Sequence, residues 1–121
     1  MQILGIEQYD ARVAVTWRLA PLPDPVKQNE LAMADLDQKT RDRSEDERLV
    51  LRRELAHRLV SPGADVMLSD DIGTTYQFCG GGSSGGRQEK IGRSDFIPAI
   101  PESATALTVH WGDLEFQVPL T

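Results

Sequence analysis

Residues 64 to 79 read Ala64-Asp65-Val66-Met67-Leu68-Ser69-Asp70-Asp71-Ile72-Gly73-Thr74-Thr75-Tyr76-Gln77-Phe78-Cys79, and they run on into Gly80-Gly81-Gly82-Ser83-Ser84-Gly85-Gly86-Arg87. Val66 to Leu68 is a short apolar run, Ser69 to Gly73 is a string of turn formers, and Thr74 to Phe78 is rich in β-branched and aromatic residues. The expectation is a hairpin with its turn at Asp70-Asp71-Ile72-Gly73. The stretch 80–86 is expected to be a flexible loop, because glycine loses the most entropy on ordering and serine offers little surface to pack.

Working outward, the flanks carry the same signal. Val13, Val15, Trp17 and Leu19 alternate with Arg12, Ala14, Thr16 and Arg18, the period-2 pattern of a half-buried strand. Ile3 to Glu7 pairs with it across a turn at Tyr9-Asp10-Ala11. At the other end, Ala106 to Trp111 and Leu114 to Leu120 flank Gly112-Asp113, a two-residue hairpin link. Leu107, Val109, Trp111, Leu114, Phe116, Val118 and Leu120 are expected on one buried face, with His110 outward. Phe96-Ile97-Pro98-Ala99-Ile100-Pro101 suits an edge strand or a strand end.

The middle third differs. Pro21, Pro23 and Pro25 are expected to form an extended, exposed linker. Ser44-Glu45-Asp46-Glu47 is a capping-box pattern with acidic residues at the positive end of the helix dipole. Leu51, Leu55 and Leu59, with Val60 beside them, form an apolar stripe that Ser61-Pro62-Gly63 ends. A helix is therefore expected from Glu45 to Val60, and a weaker one over Gln28 to Asp37. Together they make a helical insertion over about 28–60.

The count of about seven strands predicts an all-β antiparallel sandwich with an inserted helix, in a single domain spanning 1–121. The size fits one hydrophobic core. Asp71-Ile72-Gly73-Thr74-Thr75-Tyr76-Gln77-Phe78-Cys79 resembles the Asp-x-Gly-x-Tyr-x-Cys signature near the penultimate strand of immunoglobulin-like domains, and Trp17 resembles their core tryptophan. With Phe96 and the Pro98 to Pro101 run, the β part is similar to immunoglobulin-like sandwich domains of bacterial proteins of unassigned role. That resemblance implies the fold and no activity.

A net charge of −6 disfavours nucleic acid and anionic membranes as partners, since both need clustered Lys and Arg. The single cysteine, Cys79, has no internal disulfide partner, which fits a reducing, cytoplasmic setting. Gly80-x-Gly82-x-x-Gly85 matches a dinucleotide fingerprint in letters, yet the residues after it do not start a helix, and no cofactor is expected. Asp70 and Asp71 are the candidates for a Ca²⁺-stabilised turn, against the simpler reading as turn formers that bond their own backbone. Cys79, His57 and His110 lack metal-ligand spacing, so no transition-metal site is expected. A small hydrolase would need His110 beside a Ser or Cys nucleophile in a cleft.

The function expected is a non-enzymatic protein-interaction or accessory module, meeting a protein partner or a second copy. Leu51, Leu55, Leu59 and Arg52 are its candidate contact residues. Arg48, Arg52, Arg53 and Arg58 beside Arg87, Lys90 and Arg93 form a candidate basic patch.

Overall fold

Seven strands in two antiparallel sheets, with two helices between the second and third strands, make up the fold in a computed structural model that describes residues 1–59, 62–86 and 88–120. The strands are β1 (Gln2–Gln8), β2 (Val13–Leu19), β3 (Val66–Asp70), β4 (Gln77–Gly85), β5 (Lys90–Ile97), β6 (Ala106–Trp111) and β7 (Leu114–Pro119). The helices are α1 (Asp24–Lys39) and α2 (Glu45–Ala56), and one 3-10 turn, Pro62–Asp65, leads into β3. One sheet has the order β1-β2-β5-β4 and the other β3-β6-β7. The chain is thus mostly β, with two helices inserted between its strands.

Alternation along β2 builds the core. Val13, Val15, Trp17 and Leu19 are all buried, and they join Phe96 of β5 with Val66, Leu68, Leu107 and Val109 of the other sheet in one apolar cluster. Removing each such Val, Leu or Phe side chain from water contributes about 1.5–3 kcal/mol. The inner faces of both sheets therefore share one core. Trp17 is held in it by direction as well as by area: its Nε1–H donates to Ser94 Oγ at 3.0 Å, and Ser94 Oγ donates to the Gly63 carbonyl at 2.8 Å. A Cβ on Gly92 would lie 2.2 Å from the indole, so β5 carries a glycine where the ring crosses it. The two terminal hairpins form as their alternation predicts. In the second, however, Leu114 is exposed and Trp111, which packs against the core, is only half-buried; the two are register partners at the turn end of the hairpin.

The central hairpin does not form. β3 pairs with β6 and β4 pairs with β5, so Asp71 to Tyr76 is a crossing from one sheet to the other. The stretch Asp71 to Cys79 accordingly covers the crossing and the first three residues of β4. The crossing follows its carboxylates: Asp70 gathers the amides of Ile72 and Thr74, while Asp71 reaches Thr105 on the other crossing, and neither bond belongs to a hairpin ladder.

Residues 80–85 form strand rather than loop. Gly80 to Gly85 pair with Asp95 to Lys90 in register after a bulge between Phe78 and Gly80. The ladder satisfies the backbone, and glycine is what lets it form: a Cβ at Gly81 would lie 2.1 Å from the Arg93 carbonyl oxygen, and one at Gly85 would lie 2.4 Å from that of Glu89. Both residues also hold φ near +140°, at +143° and +138°, where other residues are strained.

The proline stretch is exposed at Pro21 and Pro25, as expected, but it leads directly into a helix rather than forming a linker. Leu22 and Val26 are buried in the core cluster, Pro23 caps α1, and Pro25 sits in its first turn, where a missing N–H costs nothing. The first helix therefore begins at Asp24 and runs to Lys39, four residues earlier and two later than the apolar spacing suggests. The second starts where the capping box places it, with Ser44 Oγ accepting from Glu47 N at 3.3 Å. It ends at Ala56, and Val60, the expected last residue, lies outside the described residues.

Candidate functional site

The helical insertion is the part of the chain least absorbed into the core. Val26 anchors α1, whereas α2 buries none of its residues. Leu51, Leu55 and Leu59 are half-buried on the side of α2 that carries Arg48 and Arg52, and Arg52 forms an ion pair with Asp37 of α1. Arg52 and Leu59 also border a cleft of about 430 Å³ between the two helices and the end of β4, where Met33, Ser83 and Gly85 face them. The expected stripe thus lies on the side of α2 whose Arg52 reaches α1. The outward apolar residues are ones the stripe omits: Leu31 at 55% exposure, Leu49 at 49% and Val50 at 54%. Only a helix-phase reading of Leu49 and Val50, which fall off the Leu51-Leu55 face, gives a sequence signal for them.

The basic patch is dispersed. Lys90 pairs with Glu30, Arg52 with Asp37, and Arg93 makes a two-pronged bond to Asp95 at 2.7 and 3.1 Å on the opposite side of the sheet, with Tyr9 beside it. Arg87 lies outside the described residues.

Asp70 and Asp71 face apart and are fully engaged. Asp70 Oδ1 accepts from Ile72 N at 3.1 Å and Thr74 N at 2.9 Å, and its Oδ2 accepts from the Tyr76 hydroxyl at 2.8 Å. Asp71 Oδ1 accepts from Thr105 N at 2.9 Å and Ala106 N at 3.2 Å, and Oδ2 from Thr105 Oγ1 at 2.6 Å. Burial pushes the Asp70 carboxyl up, but the Thr74, Tyr76 and Ile72 donors outweigh it and hold the pKa at about 2. Burial, and then the bond to Asp70 and its charge, raise Tyr76 to about 12. The Thr105 hydroxyl and amide hold Asp71 below the usual carboxylate range. Among the described residues no group of three or more His, Cys, Asp or Glu is placed to hold a metal ion. Asp70 closes its own crossing, which is turn chemistry, and Asp71 ties that crossing to the one that leads into β6.

His110 lies on the outer face of β3-β6-β7, because Leu107 and Val109 take the inner one. Ser69 of β3 reaches it diagonally, with Oγ 2.7 Å from Nε2, and Glu115, its register partner on β7, stands 3.6 Å from Nδ1. Met67, Trp111 and Leu114 border a cleft of about 610 Å³ that His110 also lines. Cys79 is exposed on β4, in the other sheet, and His57 lies at the end of α2. A further cleft, of about 640 Å³, lies at the open side of the two sheets between β1 and the end of β7. Among the described residues no helix is long and apolar enough to cross a membrane.

Comparisons with protein-family models, with curated proteins and with solved structures give no match to this chain.

Proposed function

We propose that the chain is an immunoglobulin-like interaction module that meets a protein partner through the outward side of its helical pair. The strand order supports the fold part of this reading: β1-β2-β5-β4 against β3-β6-β7 follows the arrangement of constant-type immunoglobulin sheets, strands A-B-E-D against C-F-G. Trp17 departs from that pattern, since it sits on the second strand rather than the third.

The observation that carries the interaction part is that α2 buries none of its residues while exposing Leu49 and Val50. A helix of 12 residues is marginal by itself and gains its stability from a packed face. Here α1 covers one side, and a partner's apolar surface covers the other. Leu31, Leu49 and Val50 are the contact residues under this reading, and Leu51, Leu55, Leu59 and Arg52 shape the helix pair that presents them.

A photo-crosslinking residue placed at position 49 or 50, with position 102 on the connection between β5 and β6 as control, tests it in cells. Discrete adducts from 49 and 50 that are absent from 102 support the reading, and an adduct of twice the chain mass identifies a second copy as the partner. Equal labelling from all three positions, or none from 49 and 50, refutes it.

A further inference from the structure

Ser69, His110 and Glu115 come together from three adjacent strands, and none of them lies on the helical pair. Ser69 and His110 are 41 residues apart in the chain, yet the β3–β6 register sets their side chains side by side on one sheet face. The hydroxyl lies 2.7 Å from Nε2. With Nε2 accepting that proton, the ring's own proton sits on Nδ1, which faces the Glu115 carboxylate at 3.6 Å. Nucleophile, base and a carboxylate beside the base thus follow in order. The cleft beside His110 adds an apolar lining from Met67, Trp111 and Leu114, and the buried Trp111 Nε1–H has no hydrogen-bond partner among the described residues.

We propose that Ser69 is a nucleophile that accepts an acyl group from an apolar carboxylic ester, with His110 as its base and Glu115 as the residue that positions His110. Ser69 Oγ adds to the ester carbonyl carbon while its proton passes to His110 Nε2. The tetrahedral adduct then collapses, the bond to the alkoxide or phenoxide breaks, and the leaving oxygen takes the proton from His110. The products are acyl-Ser69 and the free alcohol or phenol. Water adding to the acyl carbonyl by the same proton route returns Ser69 and a carboxylic acid. The apolar cleft receives the ester's hydrocarbon part.

The test is acylation of the full chain by p-nitrophenyl butyrate, followed by phenolate release, intact mass and peptide mapping. The expected result is a single butyryl group on Ser69, formed only by the folded chain and absent in denaturing urea. His110→Gln should slow its formation about 100-fold, the lower range for a lost general base. Glu115→Gln should slow it as well, and Glu115→Asp should recover part of the rate at an unchanged melting temperature; failure of that recovery removes Glu115 from its positioning role. Butyrylation spread over other side chains, an equal rate at Ser69 in urea, or an unchanged rate in His110→Gln overturns the proposal. The urea comparison decides the matter even if a variant fails to fold.

Discussion

Replacing Asp70 by Asn should flatten the acid limb of this protein's stability. The folded-state pKa of Asp70 is about 2 against an ordinary value of 3.8, because Thr74, Tyr76 and Ile72 donate to the ionised carboxylate more strongly than burial disfavours it. A carboxyl depressed by folding stabilises the native state fully above its unfolded pKa, and the contribution is lost as pH falls through the folded pKa. The window is therefore 3.8 down to about 2. At about 1.4 kcal/mol per unit the shift corresponds to roughly 2.4 kcal/mol, and screening at this half-buried turn reduces it to the order of 1–2 kcal/mol. Asn keeps an acceptor for the Ile72 and Thr74 amides but does not titrate. Urea unfolding of both proteins at steps from about pH 5 to about pH 2 checks the expectation. The wild type should lose on the order of 1–2 kcal/mol more than Asp70→Asn across that window. Asp71 and Asp95, also depressed, remain in both proteins, so the difference isolates Asp70. Parallel curves would refute the account of the turn.

The alkaline side should mirror this. Tyr76 is raised from 10.0 to about 12 by burial and by Asp70, so its stabilising effect is complete below 10.0 and lost as pH rises through about 12. Tyr76→Phe should remove that slope while costing about 1 kcal/mol at neutral pH, read by urea unfolding at both conditions. Gly81→Ala should destabilise by 2 kcal/mol or more, roughly the sum of strain at positive φ and a clash with backbone, while Gly82→Ala, with open space around its Cβ, should stay within about 0.5 kcal/mol in thermal melts. Gly92→Ala should cost about 1–3 kcal/mol by overpacking against Trp17, and near-ultraviolet circular dichroism should report the displaced indole.

The sequence is legible where a strand carries its own instructions. Val13, Val15, Trp17 and Leu19 announce a buried face by alternation, Gly112-Asp113 joins two adjacent runs, and Ser44 marks the start of α2. The crossing at Asp71 is different, because a turn former looks the same whether the next strand pairs beside it or in the other sheet. The deciding contact is Asp71 with Thr105, 34 residues away. Residues 80–85 were unreadable as strand for another reason: alternation is a property of side chains, and glycine supplies none. Pro23-Asp24-Pro25 reads as a linker unless Leu22 and Val26 are recognised as the buried pair that brackets a helix start. For the Ser69-His110-Glu115 group, the outward phase of His110 was legible. Its neighbour was not, since the register between β3 and β6 spans 41 residues of chain.

The glycine strand has a consequence for how this sequence can drift over generations. Its steric demands rest on two sites, Gly81 and Gly85, where any side chain meets the carbonyls of Arg93 and Glu89, whereas the space around Gly80 and Gly82 is empty. A mutational record of the region would therefore show two frozen letters inside a permissive one. Such a tract looks like low-complexity filler to the eye, and it is constrained as tightly at those two places as any core residue.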